Sequence, residues 1–212
     1  MSRLVSLAAL LAGCATTAQS ARVLEVGKTQ FTAGLARTSI SDDGSDESLP
    51  VWSGDVMVRH GVAPRVDVGA RLTRVPGFNT VSAFTADPKV ELTAPGSPTA
   101  VSLSLPLGAG WSDADDDGTL FIAVPTLLIG HQISPTVELV LAPRLFVFHA
   151  SEGSEEDTEL DFGGSIGARF HDAARTWAIQ PELAIVRFGD DDIEDAATTT
   201  AITFGLAVSA GN

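Results

Sequence analysis

An acidic run near the middle of the chain has the spacing of a calcium-binding loop. Asp113-Ala114-Asp115-Asp116-Asp117-Gly118 places carboxylates at alternate positions before a glycine. Alternate carboxylates can converge on a hard cation, and the glycine permits the sharp turn. Val124 stands where such a loop normally has a bidentate Glu. We therefore expect at most weak calcium binding through Asp113, Asp115 and Asp117, at about 10⁻⁴–10⁻³ M; the alternative is a solvated acidic surface.

Two further patterns contain a hydroxyl nucleophile. His149 and Ser151 stand two residues apart. This pair is similar to the His-x-Ser pair of the outer-membrane lipid A deacylases, and the resemblance implies Glu152 or Glu159 as the assisting carboxylate. An interfacial polar pair is the competing interpretation. Gly163-x-Ser165-x-Gly167 matches a nucleophile pattern that requires a turn from a strand into a helix, and no helix is predicted there. We therefore predict no enzymatic activity.

The elements that must position these residues are predicted to be β-strands throughout. Apolar and polar residues alternate with period two, and turn-forming clusters divide the chain into regular segments without a helical period. Strands spaced so evenly indicate an all-β fold, a ten-stranded antiparallel up-and-down barrel. The predicted strands are 28–40, 51–60, 65–75, 83–93, 100–110, 120–131, 137–150, 159–170, 176–188 and 198–210.

The connections between the predicted strands are of two kinds that alternate along the chain. One kind is short and almost uncharged, and the other is longer and acidic in four of its five members. These four connections carry most of the 27 acidic residues and none of the 13 Lys and Arg residues. One end of an antiparallel barrel would therefore be strongly negative. The net charge of −14 argues against a nucleic-acid partner, because phosphates require a basic surface. The four acidic connections are 41–50, 111–119, 151–158 and 189–197.

Charged side chains share one face of the predicted strands, and apolar side chains share the other. In residues 65–72, for example, Val66, Val68 and Leu72 alternate with Asp67 and Arg71. Acidic and basic residues are nearly balanced on the charged face, as buried charges require, so we predict a narrow polar lumen. The predicted charge network of this lumen consists of Asp55, Arg59, Asp67, Arg71, Lys89, Glu91, Glu138, Arg144, Asp161, Arg169 and Glu182.

Residues 28–210 resemble the small bacterial outer-membrane β-barrels in architecture. Aromatic residues gather near the strand ends, and short turns alternate with long loops, as in that class. The resemblance implies a transmembrane barrel in the bacterial outer membrane, in contact with its lipid and monomeric. Its role would be structural, a surface interaction or a narrow pore. The alternative turns the apolar face inward, as in a soluble, lipid-anchored, lipocalin-like barrel around an apolar ligand.

The N-terminus is typical of an exported bacterial protein. Arg3 precedes the apolar run 4–13, which is too short to span a bilayer as a helix. Leu11-Ala12-Gly13-Cys14 resembles the lipoprotein cleavage motif, which implies lipidation of Cys14; an ordinary signal cut near Ser20 or Ala21 is the alternative. The predicted organisation is a signal peptide (1–13), an N-terminal tether (14–27) and a β-barrel domain (28–212). No cofactor is expected apart from the weakly bound calcium.

Overall fold

A computed structural model describes residues 16–42, 48–76, 80–112, 119–152, 155–188 and 199–211 of the chain. The described part is built from antiparallel strands, and no helix within it is long and apolar enough to cross a membrane. The strands are β1 (Thr29–Asp42), β2 (Ser48–Ala63), β3 (Val66–Val75), β4 (Val81–Glu91), β5 (Thr99–Ser104), β6 (Leu107–Ser112), β7 (Thr119–Ala123), β8 (Thr126–Ser134), β9 (Val137–Glu152), β10 (Glu155–His171), β11 (Trp177–Phe188) and β12 (Thr199–Gly211).

The strands form one closed barrel. Each wall strand pairs with its neighbours in the sequence, and β1 pairs with β12 to close the wall. Because β5 with β6, and β7 with β8, each make one wall strand, the twelve segments form ten wall strands. The predicted ten-stranded antiparallel barrel is confirmed. We call the end with the connections β2–β3, β4–β5, β8–β9 and β10–β11 the turn end, and the opposite end the loop end.

Two prolines interrupt neighbouring wall strands at the same height, which the predicted strands 100–110 and 120–131 did not anticipate. Pro106 separates β5 from β6, and Pro125 separates β7 from β8. Proline lacks the amide hydrogen that a sheet ladder needs. The carbonyls still serve the ladder, because the Val124 amide donates to Pro106 O at 2.9 Å and the Leu145 amide to Pro125 O at 3.0 Å. The wall therefore stays closed across the interruption.

The apolar face of the strands points outward. Phe31, Leu35 and Phe162 are 62%, 66% and 65% exposed, whereas Asp67 and Glu138 on the other parity are almost fully buried. A water-soluble surface does not carry a continuous band of large apolar side chains, but the outer wall of a transmembrane barrel requires one. The lipocalin-like alternative is therefore wrong, because it needs the apolar side chains inside.

Residues 16–26 enter the barrel from the turn end, where Glu25 and Val26 are exposed, and we call them the internal segment. The Gly27 amide donates to Gly61 O at 2.8 Å at the turn end, where the chain crosses the rim before β1 begins. From there toward Thr16 the segment rises along the lumen, and most of its residues from Thr16 to Ala21 are buried. Residues 14–27 were predicted to be a tether outside the barrel domain. Their described part instead enters the barrel.

Candidate functional site

The predicted charge network lies in the lumen. Ten of its eleven members are buried, and the Arg71 side chain is 12% exposed. The alternation of the strands explains this placement, because every second side chain of a barrel strand points inward. Five close ion pairs involve this inward face.

Arg59 is the centre of the largest group of ion pairs. Its guanidinium bonds Asp67 through Nε and Nη2 and reaches Asp87 Oδ2 through Nη1 at 2.5 Å. Lys89 Nζ lies 3.3 Å from the second oxygen of Asp67. The Ser104 hydroxyl donates to the remaining oxygen of Asp87 at 2.5 Å. Two bases thus face two acids, so this buried group carries no net charge.

Two more ion pairs lie further toward the loop end. Arg71 Nη2 is 3.1 Å from Asp55 Oδ1. Arg144 Nη2 donates to the Ser165 hydroxyl at 2.6 Å and lies 3.5 Å from Glu182 Oε1. Glu182 Oε2 also accepts a hydrogen bond from Gln180 Nε2 at 3.2 Å, and further donors to Glu182 come from the internal segment.

The internal segment binds Glu182 through its backbone. The amide of Thr17 donates to Oε1 at 2.7 Å, and the amide of Ala18 donates to Oε2 at 3.0 Å. The Thr17 hydroxyl lies 3.0 Å and 2.9 Å from the same two oxygens. A buried carboxylate is stable only when its oxygens receive donors. Backbone amides of the internal segment are therefore part of the charge network.

The same segment satisfies charged groups nearer the turn end. Lys89 Nζ donates to the carbonyls of Ser20 and Arg22, at 3.0 and 2.9 Å. The amide of Leu24 donates to Asp67 at 3.0 Å, and the Ser20 hydroxyl donates to Glu138 Oε2 at 2.7 Å. The internal segment thus supplies acceptors to a base and donors to acids.

Small side chains in the wall make room for the segment. A Cβ atom at Gly205 would lie 2.5 Å from Thr16 Cγ2, and one at Gly130 would lie 2.8 Å from the Cβ of Ala21. Both distances are shorter than real carbon contacts, so glycine is required at these two positions by close approach. The wall is therefore shaped to leave space for the Thr16 and Ala21 side chains of the segment.

An apolar cluster fills the lumen between the tip of the segment and the loop end. Phe146 and Phe148 are completely buried, and their rings stack with centroids 6.1 Å apart. Between this cluster and Thr16 lies a cavity of about 30 Å³, with room for about one water molecule. The buried members of the apolar cluster are Val75, Val81, Ala83, Leu120, Ile122, Val124, Phe146, Phe148, Ala184 and Val186.

The turn end is open. A cavity of about 980 Å³, which we call the vestibule, lies around residues 19–26 and is lined by side chains of both the rim and the lower lumen. Arg169, Arg175 and His171 lie on its wall, together with Lys89 and Arg22. The vestibule is the one large space found within the described residues, and it ends where the internal segment fills the lumen.

An aspartate fixes the β10–β11 turn at the rim of this end. Asp172 Oδ2 accepts a hydrogen bond from the Thr176 hydroxyl at 2.8 Å, and Oδ1 accepts one from the Trp177 amide at 3.1 Å. Desolvation would raise the pKa of Asp172, but these hydrogen bonds stabilise the charged carboxylate and lower its pKa below the ordinary value.

Several predicted site residues lie outside the described residues or are not brought together. Cys14 and the calcium positions Asp113, Asp115 and Asp117 are outside the described ranges. His149 accepts or donates a hydrogen bond with Thr158 at 3.0 Å, and its ring lies beside Phe121. Glu159 faces the lumen on the next strand, so the wall separates it from His149. Glu159 is therefore not a carboxylate partner for that histidine.

Sequence reasoning did not place the internal segment in this site. Its contribution comes largely from backbone amides and carbonyls, which residue types do not reveal. Two signals were available in the sequence. Residues 16–21 are all small or polar, as a narrow lumen requires, and acids outnumber bases on the inward face of the strands. The carboxylates in excess need hydrogen-bond donors from outside the strands.

Comparison with known proteins gives a fold and no family. No protein-family model matches the sequence, and no curated protein matches it. An outer membrane channel from Pseudomonas putida F1 has a TM-score of 0.59 at 11% identity, over 90% of this chain and 97% of that chain. The translocator domain of the autotransporter NalP from Neisseria meningitidis has a TM-score of 0.52 at 7% identity, over 99% and 97%.

Ail, the attachment invasion locus protein of Yersinia pestis, is more distant in shape, with a TM-score of 0.41 at 11% identity over 89% of this chain and 100% of that chain. The channel and the translocator domain share the closed antiparallel wall described above. This chain therefore has the fold of the outer-membrane β-barrels, and the resemblance found in residues 28–210 is confirmed.

Proposed function

We propose that this protein is a non-enzymatic barrel of the bacterial outer membrane that is closed to solutes and presents acidic loops at the cell surface. It contacts membrane lipid through its apolar wall and acts as a monomer in a structural or surface-interaction role. The observation that carries this proposal is the double closure of the lumen, by the internal segment on the turn side and by the apolar cluster on the loop side.

The two closures differ in chemistry and act in series. The internal segment is held by hydrogen bonds to Glu182, Lys89 and Asp67. The apolar cluster has Phe146 and Phe148 at its centre, and both side chains are fully buried. A hydrated ion crossing the barrel would have to displace the first and lose its water shell at the second. This arrangement supports a closed barrel over the narrow pore.

The orientation follows from the class of fold. Transmembrane barrels of this class have short periplasmic turns and longer extracellular loops. The loop end would then face outward, and its connections carry most of the acidic residues of the chain. Divalent cations would reduce the repulsion among these carboxylates. Weak calcium binding at Asp113, Asp115 and Asp117 belongs to this proposal.

Conductance across planar lipid bilayers tests the closure. We expect the full chain to show no steady channel current. Deleting residues 16–26, or changing Phe146→Ser with Phe148→Ser, should each leave one closure in place and no current. Combining the two changes should open a conducting path. A steady current from the unaltered chain, or from either partial variant at the level of the combined one, would contradict the proposal.

Membrane extraction tests the location of the protein independently of conduction. The Cys14→Ala variant has no site for a lipid anchor, so its wall alone must hold it in the membrane. We expect it to resist release from outer-membrane fractions by alkaline carbonate and to need detergent. Release of this variant by carbonate would show that the wall does not span the bilayer.

A further inference from the structure

The vestibule is strongly basic for a protein with so much negative charge. Seven Lys and Arg side chains line it, against two Glu side chains. Arg59 and Lys89 are held by carboxylates of the ion-pair group around Asp67. The other basic side chains must find their partners elsewhere. The connections that carry most of the acidic residues of the sequence join strands at the opposite end of the barrel.

Arg169 is the most buried of the vestibule bases other than Arg59 and Lys89. Its residue is 4% exposed, and Nη1 donates to Gln180 Oε1 at 3.1 Å. Glu138 stands opposite Arg169 in the strand register, yet no carboxylate of the described residues comes within ion-pair distance of its guanidinium. A guanidinium has five N–H donors, and a buried cation is costly unless acceptors surround it.

Two further guanidinium groups face the same cavity with neutral acceptors. Arg22 donates through Nη2 to the carbonyl of Ser97 at 2.5 Å, and its buried Nε has no hydrogen-bond partner. Arg175 donates through Nη2 to Gln132 Oε1 at 2.7 Å. The charge of Arg169 is attracted by Glu138 from beyond ion-pair distance and is repelled by Arg175. The lumen bases Arg59, Lys89, Arg71 and Arg144 meet carboxylates, whereas these three meet only amide and carbonyl oxygens.

We propose that the vestibule binds a small soluble oxyanion, an organic phosphate or a polycarboxylate, that enters from the turn end. Arg169 anchors it at depth, and Arg22 and Arg175 hold it from the sides. The planar fork of a guanidinium matches the oxygens of carboxylate and phosphate groups. A volume of about 980 Å³ is at the upper end of the range for small-molecule sites. In the proposed orientation, such a ligand comes from the periplasm.

Calorimetric titration of the purified full chain in a neutral detergent tests this site. Citrate and inorganic phosphate are the probes, and sodium chloride at equal ionic strength is the reference. We expect saturable binding of at least one probe, weakened about tenfold or more in Arg169→Gln and in Arg175→Gln. Arg175 is exposed, so Arg175→Gln should fold normally, and a loss of binding in this variant cannot be attributed to misfolding. Arg37→Gln, an outward arginine near the loop end, should bind as the unaltered chain does.

Three results would overturn the proposal. The first is no saturable binding of either probe beyond the chloride reference. The second is equal binding in Arg175→Gln and the unaltered chain, which would show that the vestibule is not the site. The third is stabilisation by phosphatidylglycerol in the detergent micelles that depends on Arg169 while citrate and phosphate have no effect. That result would assign the basic side chains to a lipid headgroup instead of a soluble anion.

Discussion

The turn half of the lumen is filled by charged side chains and a length of backbone, whereas the loop half is filled by apolar side chains. Both halves are enclosed by the same wall, and the outward face of that wall carries a band of large apolar side chains. Around Arg59, every charge is met by an opposite charge or by a polar group of the internal segment. Around Phe146, aliphatic and aromatic side chains pack together, and the guanidinium carbon of Arg144 lies 6.0 Å from the centroid of the Phe146 ring.

This difference shows that a barrel wall does not fix the chemistry of its interior. Inward positions of β4, for example, carry Asp87 and Lys89 near the turn end and Val81 and Ala83 near the loop end. The charged half depends on complete pairing, so removing one partner leaves an uncompensated charge. The apolar half depends on volume, so removing atoms leaves a cavity. Each half should therefore fail in its own way.

The largest effect is expected from removing the central base of the charged half. Arg59→Ala leaves Asp67 and Asp87 buried without their guanidinium and should lower the free energy of unfolding by about 3–5 kcal/mol. Urea unfolding in phospholipid vesicles would measure it. The matched control is Arg37→Ala, which removes the same side chain from the outer face and should cost less than about 1 kcal/mol. Equal costs would mean that the lumen pairs do not stabilise the fold.

A cavity in the apolar half should cost somewhat less. Phe146→Ala removes a fully buried ring, and we expect a loss of about 3 kcal/mol in the same unfolding experiment. Phe162→Ala removes an identical ring from the lipid-facing side, where lipid can fill the space, so its cost should be clearly smaller. A loss at Phe146 no greater than that at Phe162 would indicate that the loop half is loosely packed.

The fit of the internal segment should show a smaller effect still. Gly205→Ala places a Cβ against Thr16 and should destabilise the protein by about 1–3 kcal/mol through overpacking. Gly54→Ala is the control, because its new Cβ meets Leu35 Cδ2 at an ordinary 3.6 Å. Limited proteolysis should also cut the internal segment faster in Gly205→Ala. Resistance equal to that of Gly54→Ala would argue against a tightly held segment.

The smallest effect is expected at the turn end, outside both halves. Because the folded-state pKa of Asp172 is lowered, its stabilisation is present above the ordinary aspartate pKa and is lost as the pH falls through the folded-state value. Asp172→Asn should therefore melt slightly below the unaltered protein at neutral pH. The two melting temperatures should converge in acid. A constant difference at every pH would assign the effect to lost hydrogen bonding instead of charge.

The wall could be predicted from the sequence, because it depends on a local and repetitive signal. The alternation of Val66, Val68 and Leu72 with Asp67 and Arg71 reports directly which side chains face outward. The same parity brought all eleven predicted lumen charges to one face. The wall strands broken at Pro106 and Pro125 were predicted as continuous, although each proline was visible in the sequence as a residue without an amide hydrogen.

The filling of the lumen could not be predicted in the same way. Thr17 and Glu182 are 165 positions apart, and the contact runs through a backbone amide that every residue except proline possesses. No period marks residues 16–26, since they belong to neither a strand nor a helix. The alternative signal cut near Ser20 or Ala21 would remove the Thr17 and Ala18 donors that Glu182 uses, so the described lumen requires a chain that retains these two residues.

The pairing of β1 with β12 sets the order in which this molecule can be completed. The wall has no inside until its first and last strands meet. The internal segment directly precedes β1, and β1 closes the wall by pairing with β12. The segment is therefore brought to this junction by β1 itself. We therefore expect Glu182 to lose its water late in folding, when the internal segment and β11 come together. Contacts this distant in sequence form slowly. A chain truncated before β11 would keep Asp67 and Lys89 as partners of the internal segment, but it would lack Glu182 and could not close its wall.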